Sequence, residues 1–138
     1  MEGAREKAEQ RTAKDLSMKI VFVAIAVLTL LVWLIPAIPV SLLGAVIIVV
    51  FGFFFATVSS RMVGLVGSSN NPVSGMAIAT LLIATLILKV TGATGMAGMC
   101  SAIAIGSVIC IVSAIAGDTS QDLKTGFLLG ATPRKQQI

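Results

Sequence analysis

The stretch "GLVGSSNNPVSGM" at residues 64–76 holds three glycines, a proline and five small polar side chains, and it stands between two apolar runs, each long enough to cross a membrane. Its reading decides the fold. Gly64 and Gly67 permit positive φ, and Ser68, Ser69 and Asn70 can hydrogen-bond their own backbone, so the segment does not continue the helix before it. "NNPV" then reads as a helix start, with Asn71 as N-cap and Pro72 in the first helical position, where its missing N–H costs nothing. Two placements satisfy these signals. One is a capped turn in water. The other is irregular backbone at membrane depth, tolerated where it is buried in protein or lines a wet cavity; Asn71 and the serines would then face a solute that Gly75 lets approach.

The flanking runs settle the class. The 138 residues are 57% hydrophobic and 12% charged, with a mean hydropathy of +1.02, far outside the balance of a soluble domain. The apolar residues come in unbroken blocks, without the alternation of a membrane barrel strand. An all-α membrane protein follows. Blocks at 20–35, 40–58, 73–90 and 96–116 predict four spans; as one helix, the first two would be roughly 58 Å long, about twice a bilayer core of ~30 Å, so Pro36 and Pro39 mark a hairpin turn. "TGATG" at 91–95 separates the third span from the fourth, and 59–72 is a polar break within a membrane domain of 20–117.

Charge predicts the sidedness. Residues 1–19 carry nine of the sixteen charges, are rich in helix formers and stay in water. With four spans, Arg5, Lys7, Arg11, Lys14, Lys19, Arg61, Lys124, Arg134 and Lys135 fall on one side, which the positive-inside rule makes cytoplasmic for both termini and for the tail at 118–138. Lys89 alone falls near the other face, where it can snorkel to the headgroups. Nineteen hydrophilic residues before the first block argue against a signal peptide. Basic residues flank spans and do not interleave with aromatics, so nucleic acid is not an expected partner.

Several chemistries are excluded. With no histidine and no Cys-x-x-Cys, a metal or haem site is not expected, nor any cofactor. Cys100 and Cys110 lie about 15 Å apart along one predicted helix, beyond the ~7 Å Cα separation that a disulfide allows. No acidic pair lies within the membrane blocks and no nucleophile has a neighbouring base, so an enzyme is not expected. Gly98, Ala102, Gly106, Cys110 and Ala114 recur every four residues as a small-residue stripe, a packing face for another helix.

The patches "SSRMVGLVGSSNNPVSGMAIATLL" (59–82), "GDTSQDLKTGFLLGATPRKQQI" (117–138) and "RTAKDLSMK" (11–19) resemble the oligopeptide transporter (OPT) family, which includes the yellow stripe-like metal-chelate carriers. A proline is commoner in that family where Ser17 stands. The resemblance implies a polytopic, proton-driven secondary carrier of small peptides or peptide-like metal chelates, lodged in the cell membrane. It makes Gly67, Ser68, Ser69, Asn70, Asn71, Pro72, Ser74 and Gly75 candidates for the solute pathway. Full members have more than ten membrane helices, so this chain reads as a four-span segment of a larger transporter bundle whose remaining helices are its partners. No acid lies within the four blocks; Asp118 and Asp122, just past the fourth, are the candidates for coupling or gating at the cytoplasmic face, or else belong to a solvated turn in which Asp118 or Thr119 caps a following helix. Two rival readings remain, a noncatalytic subunit assembling through the small-residue stripe and a small channel with its single Asn-Pro.

Overall fold

The computed structural model describes residues 15–35 and 40–137. The expected hairpin turn at 36–39 and the polar segment at 1–14 lie outside them. Described elements are α1 (Met18–Leu34), α2 (Leu42–Val66), a 3-10 turn (Ser68–Asn70), α3 (Val73–Val90), α4 (Gly95–Leu128) and the short α5 (Pro133–Gln136). By length and composition α2, α3 and α4 can each cross a membrane, and α1 is a shorter apolar helix of 17 residues with none of them buried.

The centre of the unit is α4. Gly44 of α2 faces Ile105, Gly52 faces Ile109 and Val112, and Gly64 faces Ser120, so residue numbers rise together and the two helices run parallel. Along α3 the order reverses: Leu81 meets Gly106 and Asn71 meets Gly117. This antiparallel helix packs on α4 and scarcely touches α2. Ile105 and Ile109, both at 0% exposure, form the middle of the core with Ala45, Ile47, Ile48, Ala84, Leu88 and Ala102. Glycines on α2 and α4 let the backbones close on one another, which is how helices associate where burial from water gives no drive.

Helix ends differ from the sequence expectation in three places. Residues 59–66 continue α2, because a helix needs its backbone bonds and not apolar side chains: Ser59 turns inward to α4 and Arg61 outward. For the same reason α4 runs on from 117 to 128, about 51 Å in all, so Asp118 and Thr119 lie within a helix and cap nothing. The third concerns Asn71. Helix α3 starts at Val73 with Pro72 as its N-cap residue, and no side chain caps it.

"TGATG" behaves as read. Thr91 ends α3 and Gly92 takes φ +84°, with Gly92 N–H donating to Lys89 O (3.2 Å) and Ala93 N–H to Leu88 O (2.9 Å), the paired bonds of a Schellman motif. Gly130 (φ +73°) ends α4 identically, through Gly130 N–H to Phe127 O and Ala131 N–H to Gly126 O.

The small-residue stripe is covered over part of its length. Gly98, Ala102 and Gly106 are buried, Gly106 beneath Leu81 of α3, whereas Cys110 and Ala114 are half-buried. The buried residues of α4 that face α2 form a second four-residue series beside the stripe: Ile105, Ile109, Ser113 and Gly117.

Candidate functional site

Near the end of α2 and the start of α3, one hydroxyl, one side-chain amide and one backbone carbonyl join α2, the turn and α4. Ser59 of α2, at 0% exposure, donates from Oγ toward the Ser113 carbonyl of α4 (2.6 Å) and toward Asn71 Oδ1 (2.9 Å). One hydroxyl proton serves two acceptors. Asn71 Nδ2 in turn donates to the same Ser113 carbonyl (3.4 Å), so the amide spans α2 and α4 and stands apart from the N-terminus that it was expected to cap. This placement requires Gly117: a Cβ there would overlap Asn71 Nδ2 and stand 3.1 Å from both Ser59 Oγ and Val63 Cγ2.

Two further bonds extend the node toward the end of α2. Ser120 Oγ donates to Ser60 O (2.8 Å), and Lys124 Nζ donates to Gly64 O (2.7 Å), one of the last carbonyls of α2, which have no partner within their own helix. Past it, Leu16 N–H donates to Gln137 Oε1 (2.8 Å) and Gln137 Nε2 to Asp15 Oδ1 (3.3 Å), while the Gln136 side chain lies against Gly126. Segments from both ends of the chain therefore meet at this end of the unit.

The sequence-derived candidates divide into two groups. Gly67 ends α2 at φ +106°, a conformation that L side chains rarely adopt, with nothing within 4 Å of an added Cβ. Ser69, Asn70, Pro72, Ser74 and Gly75 are exposed, Asn70 Nδ2 donating only within the turn to Ser69 Oγ (3.4 Å), and Ser68 belongs to the same 3-10 turn. Asn71 alone is drawn into the helix contact. Asp118 and Asp122 sit one turn apart on α4, both exposed, and neither is brought to the Asn71 amide. Among the described residues no three His, Cys, Asp or Glu side chains stand close enough to hold a metal ion.

Sequence reasoning missed Ser59, Ser113 and Gly117. Ser59, a hydroxyl next to an apolar block, carried some signal, whereas Ser113 contributes its backbone carbonyl, which any residue there would supply. At the opposite end of α3 a groove of about 380 Å³ opens between α3 and α4, lined by Leu81, Leu88, Met99 and Ile103, with Thr85 and Lys89 also on its wall.

Long apolar helices joined through small residues, with a polar turn anchored at their border, define a polytopic α-helical membrane protein. The chain belongs to the OPT oligopeptide transporter family, whose model matches residues 2–138. It is 34% identical over 160 residues to a Haemophilus influenzae protein whose name marks it as a predicted oligopeptide transporter, an alignment that covers 100% of this chain and 25% of that protein. The chain thus spans about a quarter of the length of the curated relative that it matches. No solved structure matches it.

Proposed function

We propose that this chain forms part of a secondary carrier that moves oligopeptides across the cell membrane, and that the turn at 67–75 lies on the solute's route. Family membership supports transport. The observation that supports the route is the grouping of Ser69, Asn70, Ser74 and Gly75, all exposed, around an α3 N-terminus that no side chain caps. Free N–H groups at a helix start carry partial positive charge and accept an anionic group, and a peptide presents one at its C-terminal carboxylate. Serine hydroxyls and the Asn70 amide supply neutral donors and acceptors for peptide bonds beside it.

Proton coupling and carriage of peptide-like metal chelates belong to the same proposal, and both come from the family resemblance. Asp118 is the acid closest in sequence to the turn's anchor, since it follows Gly117 directly. Both chain ends and the cationic Arg61 and Lys124 are assigned to the cytoplasm on the positive-inside rule. The unburied α1 and the apolar outer face of α2 suit contact with lipid and with further helices of the carrier.

The test is uptake of a radiolabelled tripeptide into membrane vesicles carrying the transporter, with and without an inward proton gradient. Asn70→Ala and Ser74→Ala are expected to raise KM at unchanged protein level. Normal KM in both variants would remove the turn from the route, and gradient-independent uptake would remove the proton.

A further inference from the structure

The connections of α3 to the rest of the unit are of distinct kinds. Every side-chain hydrogen bond made within α3 itself returns to its own backbone: Thr80 Oγ1 donates to Met76 O (2.8 Å) and Thr85 Oγ1 to Leu81 O (2.6 Å). Among the described residues, none of 73–90 makes a hydrogen bond to another helix. Asn71, two residues before α3 begins, is the polar tie, and it reaches α2 and α4 together. Midway along, Leu81 is seated over Gly106, whose missing Cβ leaves room for it: an added Cβ would stand 2.7 Å from Leu81 Cδ2. Beyond Leu81 lies the groove between α3 and α4. At the near end the chain enters the turn through Gly67 at positive φ, with open space around it.

From this arrangement we propose that Asn71 is a positioning residue: seated on Gly117, it latches the near end of α3 and with it the polar turn, while Leu81 in the Gly106 notch is the fulcrum about which α3 tilts when the latch opens. The helix body is held to α4 by apolar contacts, which have no directional bond to break, whereas the Asn71 amide is either seated or not. Unlatching moves Ser69, Asn70 and Ser74 away from α4 at one end and carries α3 into the groove at the other. The two acceptors of the Ser59 hydroxyl fit such a switch, because its proton stays satisfied by the Ser113 carbonyl when Asn71 leaves. The significance for solute passage rests on the transport reading above; the latch itself does not.

The experiment separates the two. In a background with Cys100 and Cys110 replaced by alanine, Val63→Cys places a thiol beneath the latch, at a position only 1% exposed. Its labelling by a membrane-impermeant maleimide in vesicles open on the side of the chain termini reports opening. Asn71→Ala and Gly117→Ala are each expected to speed labelling about tenfold, the factor given by ~1.4 kcal/mol of lost hydrogen bonding, and the double variant no further, since both remove one seat. Unchanged labelling in Asn71→Ala, or additive effects in the double variant, would overturn the latch. Should Gly117→Ala fail to reach the membrane, Asn71→Ala decides alone, because it leaves a gap and not a clash. Tripeptide uptake in the same variants is expected to show a changed maximal rate at nearly constant KM; a raised KM with unchanged labelling would make Asn71 a solute contact and overturn the positioning role. If the parent chain moves no peptide while labelling still responds, the transport reading fails and the latch stands.

Discussion

Gly52 and Gly117 lie on the same α2–α4 seam, and the same substitution is expected to act on them with opposite sign. A methyl on Gly52 would rest 3.6 Å from Ile109 Cδ1 and 3.9 Å from Val112 Cγ1, ordinary van der Waals contact. Gly52→Ala should therefore gain helix propensity, about 0.8–1 kcal/mol, with no steric cost. On Gly117 the methyl would overlap the Asn71 amide and crowd Ser59 and Val63 at 3.1 Å. The propensity gain of about 1 kcal/mol is then outweighed by roughly 1–3 kcal/mol of overpacking and by ~1 kcal/mol for the Ser59–Asn71 bond, a net loss of about 1–3 kcal/mol. The variants should differ by about 2–4 kcal/mol, which is several times the uncertainty of an equilibrium unfolding measurement. The assay is unfolding of the purified protein in mixed micelles with increasing sodium dodecyl sulfate, followed by far-ultraviolet circular dichroism. Shifts of equal sign and size would refute the assignment of Gly117 as the seat of Asn71 and with it the node.

Three further outcomes test other parts of the structure. Among the described residues Ser101 Oγ is buried without a hydrogen-bond partner, so Ser101→Ala should stabilise by about 0.5–1 kcal/mol in the same assay; a loss would mean that the hydroxyl has a partner beyond them. Lys124→Met removes the charged donor from Gly64 O and should cost about 0.5–1 kcal/mol, less at high salt; an effect unchanged between low and high salt would refute the electrostatic account. Gly75 has nothing within 4 Å of an added Cβ, so Gly75→Ala should leave stability unchanged or improved, yet lower tripeptide uptake about tenfold if solute closes on that backbone; normal uptake would place the solute elsewhere.

The class of fold was legible because unbroken apolar blocks leave few alternatives, and "TGATG" announced its break through Gly92. Helix ends were less legible. Ser59, Ser60 and Arg61 read as a boundary by polarity, but polarity reports the environment of side chains, and the α2 backbone continues because one of these residues faces α4 and another faces out. At Asn71 a local rule met a tertiary competitor: the amide was expected to cap α3, and the buried Ser59 hydroxyl with the Ser113 carbonyl bound it instead. Both partners lie far from Asn71 in sequence, so spacing could not reveal them. The small-residue stripe was read for helix packing and does pack where Leu81 meets Gly106, but Cys110 and Ala114 stay half-buried while the neighbouring series Ile105, Ile109, Ser113 and Gly117 is the one fully buried. A chain segment that touches its neighbours through glycine and serine carries its specificity in what is absent from the side chain, which composition alone records faintly.

The parallel course of α2 and α4 has an electrostatic corollary. Helices running the same way align their macrodipoles, and each C-terminus carries about half a negative charge. Had the two ended at one level, like poles would have faced each other across the low dielectric of the bilayer border. Instead α4 runs on past the end of α2 to Leu128 and offers Lys124 to the carbonyl of Gly64, so the negative pole of α2 meets a cation on its parallel neighbour. The antiparallel α3 brings its positive pole to the same end at Val73. Lys124 thus neutralises, at the end of α2, a field that the parallel packing itself creates.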